Sequence, residues 1–170
     1  MRIRKATSAD ALPLQAFWMA VATVPGGIAR NTDEITEEYI ADILEKSTTR
    51  GLMLVGLEES RIMAAIHAFR PAPASLSATL SSLTIGVRPA ALGKRYGQEL
   101  FEGFLNKIEL DMPDIARVEL HARASNERGI RLYESIGFIL EGRLERRVRS
   151  ASGELEADVM MAWFNPGYNS

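Results

Sequence analysis

Apolar and polar residues alternate with two different periods along this chain. The switches between the periods mark its elements. Leu83, Ile85 and Val87 alternate with Thr84 and Gly86, the period of two expected of a buried strand. Leu100, Phe101, Phe104, Leu105 and Ile108 then recur at the spacings of one face of a helix. Between them runs a loop from Arg88 to Tyr96, with Gly93 inside it and Gly97 at the helix entrance. The rest of the chain reads in the same way. Ile3 and Arg4 sit in a short first strand. Thr7 or Ser8 can cap the helix that carries Leu12, Leu14, Phe17, Trp18 and Val21 and ends near Pro25-Gly26-Gly27. After a loop to Asp33, a second helix from about Thr36 to Lys46 places Ile35, Tyr39, Ile40, Ile43 and Leu44 on one side. Leu52 to Leu57 and Ile62 to Phe69 form a hairpin around Glu58-Glu59-Ser60-Arg61. Pro71 to Ser75 is a loop before the strand that ends at Val87. Arg117 to Ala122 is a strand, and Asn126 to Ile136 a helix closed by Gly137. Phe138 to Val148 and Glu154 to Phe164 form a last hairpin around Ser150 to Gly153.

The predicted order is β-α-α-β-β-β-α-β-α-β-β. The strands ending at Val87 and Ala122 are joined through a helix, which predicts a right-handed crossover and a parallel pair. The short connections of the first half predict antiparallel pairing. The expected class is α/β, of the mixed α+β kind: one twisted mixed sheet of about seven strands with helices on both faces. A length of 170 residues fits a single domain that buries its own core.

Composition narrows the chemistry. The 20 basic and 22 acidic residues nearly balance, so nothing marks a nucleic-acid or membrane-surface binder. There is no cysteine, which excludes disulfides, zinc–thiolate sites and a cysteine nucleophile. His67 and His121 are the only histidines, so a multi-histidine metal site is not expected. The start, MRIRKATSADA, lacks an apolar signal core, and a cytoplasmic protein is expected.

Several residues carry more than one reading. A loop that presents N–H groups at a helix N-terminus can hold an anion such as a pyrophosphate. The Gly-x-x-x-Gly here is neither a dinucleotide fingerprint nor a Walker loop. Gly86, inside a buried strand, marks a bulge or a close approach. Asn126 and Tyr133, seven apart, share a helix face. Asn126 is also a good N-cap and Tyr133 an ordinary core aromatic. Glu119, His121 and Arg123 point to one face of their strand. The acids Asp33, Glu34, Glu37 and Glu38 either draw in a cationic amine or complement a helix start in solvent. Arg143, Arg146, Arg147 and Arg149 read as a solvated strand face.

Two blocks in the right order carry a resemblance. Val87-x-Pro89-x-x-x-Gly93-x-x-x-Gly97 is one. The other is Val118 to Leu144, with Ser125-Asn126, Leu132-Tyr133-Glu134 and Gly137-Phe138. Together they resemble the GNAT superfamily of acyl-CoA-dependent N-acetyltransferases, over almost the whole of residues 1–170. Glu141-Gly142-Arg143, Gly153 and Asp158-Val159-Met160-Met161 resemble the branch that contains spermidine and ribosomal-protein acetyltransferases.

The resemblance implies acetyl-CoA as acyl-donor cosubstrate, with no metal. Ile85, Gly86 and Val87 would hold the pantetheine arm. Leu92, Gly93, Lys94, Arg95, Tyr96, Gly97 and Gln98 would cradle the phosphates. Asn126 would meet the pantetheine amides, and Tyr133 would stand near the thioester sulfur as the proton donor. His121 is the first choice for the residue that handles the amine's proton, Glu119 the second and His67 the third. The implied partner is an amine acceptor, either a small polyamine-like molecule or a protein or peptide N-terminus, attacking directly in a ternary complex. A homodimer is left open. Two positions depart from the family loop: Leu92 replaces a common basic residue, and Arg95 stands where Gly or Ala is usual. They leave an alternative, a non-catalytic acyl-CoA-binding regulatory domain of the same fold.

Overall fold

The computed structural model describes residues 1–170 except Pro25, Ala151 and Ser170. The helix end expected near Pro25 and the hairpin turn expected at Ala151 therefore lie partly outside the described residues. The strands are β1 (Arg2–Lys5), β2 (Gly51–Glu58), β3 (Arg61–Phe69), β4 (Thr79–Val87), β5 (Arg117–Arg123), β6 (Ile139–Arg149) and β7 (Leu155–Phe164). The helices are α1 (Ala11–Ala22), α2 (Glu37–Arg50), α3 (Tyr96–Asp111) and α4 (Glu127–Ser135). The strands form one seven-stranded sheet in the order β1-β2-β3-β4-β5-β7-β6, with β4–β5 parallel and the other pairs antiparallel. Element order and strand directions agree with the sequence reading. No described helix is long and apolar enough to cross a membrane.

The alternation within β2 explains the layering. Leu52 and Leu54 face one side, Met53 and Val55 the other, and all are buried. On the first side, Leu100, Phe101, Phe104, Leu105 and Ile108 of α3 pack with Ile66, Leu80, Val118, Leu120, Phe138 and Met161. On the second, Leu14, Phe17, Trp18 and Val21 of α1 join Ile40, Ile43 and Leu44 of α2. The two apolar helix stripes fix which face each helix covers.

Local chemistry moves some boundaries. Thr7 does not cap α1 directly. A single 3₁₀ turn, Ser8–Asp10, intervenes. The Asp10 carboxylate accepts from the Thr7 N–H at 2.8 Å and from both Arg4 guanidinium arms at 2.7 Å. The second helix runs a turn past Lys46. Thr48 and Thr49 return their hydroxyls to the carbonyls of Leu44 and Glu45 at 2.8 Å, within a polar run that stays helical to Arg50. Thr36 caps the start, its Oγ1 accepting from the Tyr39 N–H.

Gly86 answers the bulge-or-approach question. A Cβ there would lie 2.7 Å from Trp18 Cζ3, so glycine is required by the indole packed on it. The bulge in β4 lies earlier, where the register shifts between His67 and Phe69 and Ser82 takes a φ of +55°.

His67 is 2% exposed, stacked on Phe69 and edge-on to Trp18. Burial, aided by the nearby Arg30 charge, pushes its pKa down to about 4. The unfolded chain takes up this proton near the ordinary imidazole value of about 6.5. Between those values the unfolded state binds more protons, so stability falls as pH drops, by about 3 kcal/mol at most. Asp10, held down to about 2 by the Arg4 guanidinium, adds its own loss below about pH 4. Denaturant melts at pH 7 and 4.5 should show the first loss in the wild type and a flat response in His67→Met. Equal slopes in the two proteins would contradict it.

Candidate active site

The site begins where β4 and β5 part. Only Thr79–Arg117 and Leu80–Val118 are in register as a parallel pair. Beyond them the strands diverge, and α4 and the chain after α1 close around the opening. Two cavities result, of about 450 Å³ and about 140 Å³. Gly26, Gly27, Ile85, Asn126 and Tyr133 line both.

The larger cavity runs from the end of β4 (Ile85, Gly86, Val87) over Leu92, Gly93, Arg95, Tyr96, Gly97 and Gln98 to Asn126 and Tyr133. Those are all the expected cofactor residues except Lys94. The Lys94 ammonium is instead 3.2 Å from Glu58, at the end of β2. Tyr96 donates its hydroxyl to the same carboxylate at 2.7 Å. These two partners, Tyr96 first, hold Glu58 below the usual carboxylate range and tie the loop to the β2–β3 hairpin. Gly93 has φ +85° with open space around it, and Arg95 has φ +63° at the N-cap of α3. Arg95 turns its guanidinium toward Gln98, at 3.3 Å. A Cβ on Gly97 would meet Val87 at 3.2 Å, so α3 lies close on β4. The first N–H groups of α3, which have no partner within the helix, thus belong to residues that line the cavity.

Sequence reasoning missed Arg128 and Gly129, which also line it. The available signal was a cation two residues after Asn126 at a helix start. The Asn126 side chain accepts from the Gly129 N–H at 3.0 Å, so it is an N-cap of α4. A Cβ on Gly129 would collide with that side chain. The cavity thus offers a strand edge, the N-terminus of α3 with Arg95, and Arg128 in the first turn of α4. No described lining residue is acidic. This fits a long ligand with amide groups and an anionic end, as acetyl-CoA is.

The smaller cavity includes Ile28, Leu83, Thr84, His121, Arg123, Asn126 and Tyr133. Tyr133 rests against Phe101 and Phe138, with ring centroids 5.6 and 6.3 Å away. Its burial raises the phenol pKa, so the hydroxyl keeps its proton at neutral pH. The His121 side chain is 43% exposed, and its Nδ1 lies 2.9 Å from Asp158 Oδ2. Asp158 is buried on β7 and is also ion-paired with Arg147, whose Nε lies 3.2 Å away, so Arg147 is not merely a solvated residue. Asp158 is a third residue to which sequence reasoning gave no role in the site. Its signal was one acid inside the apolar run Ala157 to Met161.

The other proton-handling choices stand elsewhere. Glu119 lies 3.1 Å from Arg117 Nε and lines neither cavity. His67 is sealed under α1, also outside both. Asp33, Glu34, Glu37 and Glu38 line neither, and Glu34 is spent on the Asn31 N–H at 2.8 Å. Among the described residues no group of side chains could hold a metal ion.

A family model for the acetyltransferase (GNAT) domain matches residues 1–139, and the chain belongs to that family. The matched model makes it an acetyltransferase. Solved structures share the fold. A GNAT-family acetyltransferase from Streptococcus pneumoniae superposes with a TM-score of 0.86 at 20% identity, over 96% of this chain and 98% of that one. A ribosomal-protein-alanine N-acetyltransferase from Brucella melitensis gives 0.82 at 21% identity, over 96% and 99%. A phosphinothricin acetyltransferase from Sinorhizobium meliloti, in complex with acetyl-CoA, gives 0.85 at 17% identity, over 99% and 90%. No curated protein sequence matches the chain.

Proposed function

We propose that this protein is an N-acetyltransferase that moves the acetyl group of acetyl-CoA to a primary amine by direct attack in a ternary complex. The observation that carries the reading is the meeting of two cavities at Tyr133, the larger lined by Arg95 and Arg128 and by no described acid, the smaller lined by His121. When bound, acetyl-CoA supplies a thioester that can be attacked. The backbone of Ile85, Gly86 and Val87 and the amide of Asn126 hold the pantetheine arm. Because Asn126 Oδ1 is taken by Gly129, its Nδ2 is the donor left for a ligand carbonyl. The N-terminus of α3 with Arg95 and Arg128 takes the phosphates.

An alkylamine is mostly protonated near pH 7 and must lose a proton to attack. His121, with Nδ1 turned to Asp158, has Nε2 free to accept that proton, directly or through water. The new N–C bond forms as the C–S bond breaks, and the Tyr133 hydroxyl donates to the leaving sulfur. The acetylated nitrogen sheds its second proton, which returns through water to the Tyr133 phenolate, and His121 loses its own to solvent.

Release of free CoA with a panel of primary amines tests the reading, and none released with any amine overturns it. The loop assignment has its own test. Gly93→Glu places a carboxylate beside the phosphates and a side chain at positive φ, where it is strained. Acetyl-CoA affinity measured by calorimetry should fall about a hundredfold, a cost of about 2.7 kcal/mol. Unchanged affinity would remove the loop from the binding site.

A further inference from the structure

The small cavity carries an indication of which amines it accepts. At about 140 Å³ it is well under the roughly 300–1,000 Å³ of sites for drug-sized ligands. It therefore takes a small acceptor or only the end of a large one. No described lining residue is acidic, and one, Arg123, carries a permanent positive charge.

The partners of Arg123 are loose. Its Nη2 reaches the Ile28 carbonyl at 3.5 Å, and its Nε is 3.9 Å from Glu156. The first is at the limit of a hydrogen bond and the second is beyond it. A guanidinium has five N–H donors, so most of these remain to be used. Of the acids on the same side, Asp158 is shared by His121 and Arg147, and Glu156, 3.9 Å from Arg123, accepts the Ser125 hydroxyl and lines neither cavity. His121 and Arg123 are two residues apart on β5, roughly 7 Å between Cα atoms, and face the same cavity.

We propose that the acceptor carries an oxyanion within a few bonds of its amine, as a free amino acid does, and that Arg123 binds this group while His121 faces the nitrogen. This rests on the N-acetyltransferase reading above and narrows it. A guanidinium meets a carboxylate or phosphonate through two parallel hydrogen bonds, which fixes the acceptor's orientation as well as its charge. A polyamine would place a second cation beside Arg123, with no lining carboxylate to offset it. A peptide N-terminus has an amide where the amino acid has its carboxylate.

The test compares alanine, 1-aminoethylphosphonate, alaninamide, putrescine and an alanine-led tripeptide as acceptors, with rates corrected to the neutral-amine fraction. Wild type and Arg123→Gln are assayed with saturating acetyl-CoA. Alanine or the phosphonate should exceed alaninamide in kcat/KM by about tenfold or more, and whichever is faster identifies the oxyanion. Arg123→Gln should erase that gap, chiefly through KM, while alaninamide keeps its rate within about twofold. Arg123→Lys should restore part of the gap by charge alone. Preference for putrescine, alaninamide or the tripeptide overturns the inference and leaves the transfer reading standing. A variant that loses all acceptors equally also overturns it, because Arg123 would then be structural. No CoA release with any of the acceptors overturns both.

Discussion

Tyr133→Phe should fold, bind acetyl-CoA with wild-type affinity and turn over about 10²–10⁴-fold more slowly. That range is what one positioned proton donor contributes. The substitution removes only the hydroxyl, so the packing on Phe101 and Phe138 survives, as does the wall shared by the two cavities. The physical basis is the burial that raises the phenol pKa. A phenol kept neutral can donate to a thiolate as the C–S bond breaks. Since the interaction exists only as the sulfur acquires charge, the loss should appear in kcat, with KM for acetyl-CoA unchanged. Single-turnover rates with a good acceptor measure it, since slow product release cannot mask them. An unchanged rate would reduce Tyr133 to the aromatic that closes the core under α4.

The fold was legible where one period ran long. The alternation of Leu83, Ile85 and Val87 and the helical stripe from Leu100 to Ile108 both led to elements within a few residues of those observed. The crossover between them required a parallel pair, and the structure has one. Less legible was what depends on partners distant in sequence. Lys94 reads as a phosphate ligand in its own loop, yet Glu58, on a different hairpin, takes it. Glu119 reads as a base beside His121, yet Arg117 two residues back holds it. Asp158 reads as an oddity in an apolar strand until β7 is inserted between β5 and β6, which sets it beside His121. The stretch of α2 beyond Lys46 is polar, so no apolar period marked it, although the helix continues to Arg50. Gly86 could be read either way from sequence, since a bulge and an overlying indole both demand glycine. Only the position of Trp18 separates them.

His121→Gln should lower kcat by about 10²–10⁴-fold and abolish the rising limb of activity with pH, with acetyl-CoA affinity unchanged. Only a neutral imidazole accepts a proton, so activity that depends on one climbs as pH rises through its titration. The Asp158 carboxylate 2.9 Å from Nδ1 fixes the tautomer that leaves Nε2 as the acceptor. Asp158→Asn should therefore lower the rate at every pH, because an amide no longer fixes that tautomer. An acceptor amine that merely ionises in solution also gives a rising limb. That limb would be identical in wild type, His121→Gln and Asp158→Asn. A limb that His121→Gln retains, at an undiminished rate, would assign the amine's proton to water. A rate that His121→Gln lowers but Asp158→Asn leaves unchanged would keep the histidine as the base and reduce Asp158 to a packing residue of β7.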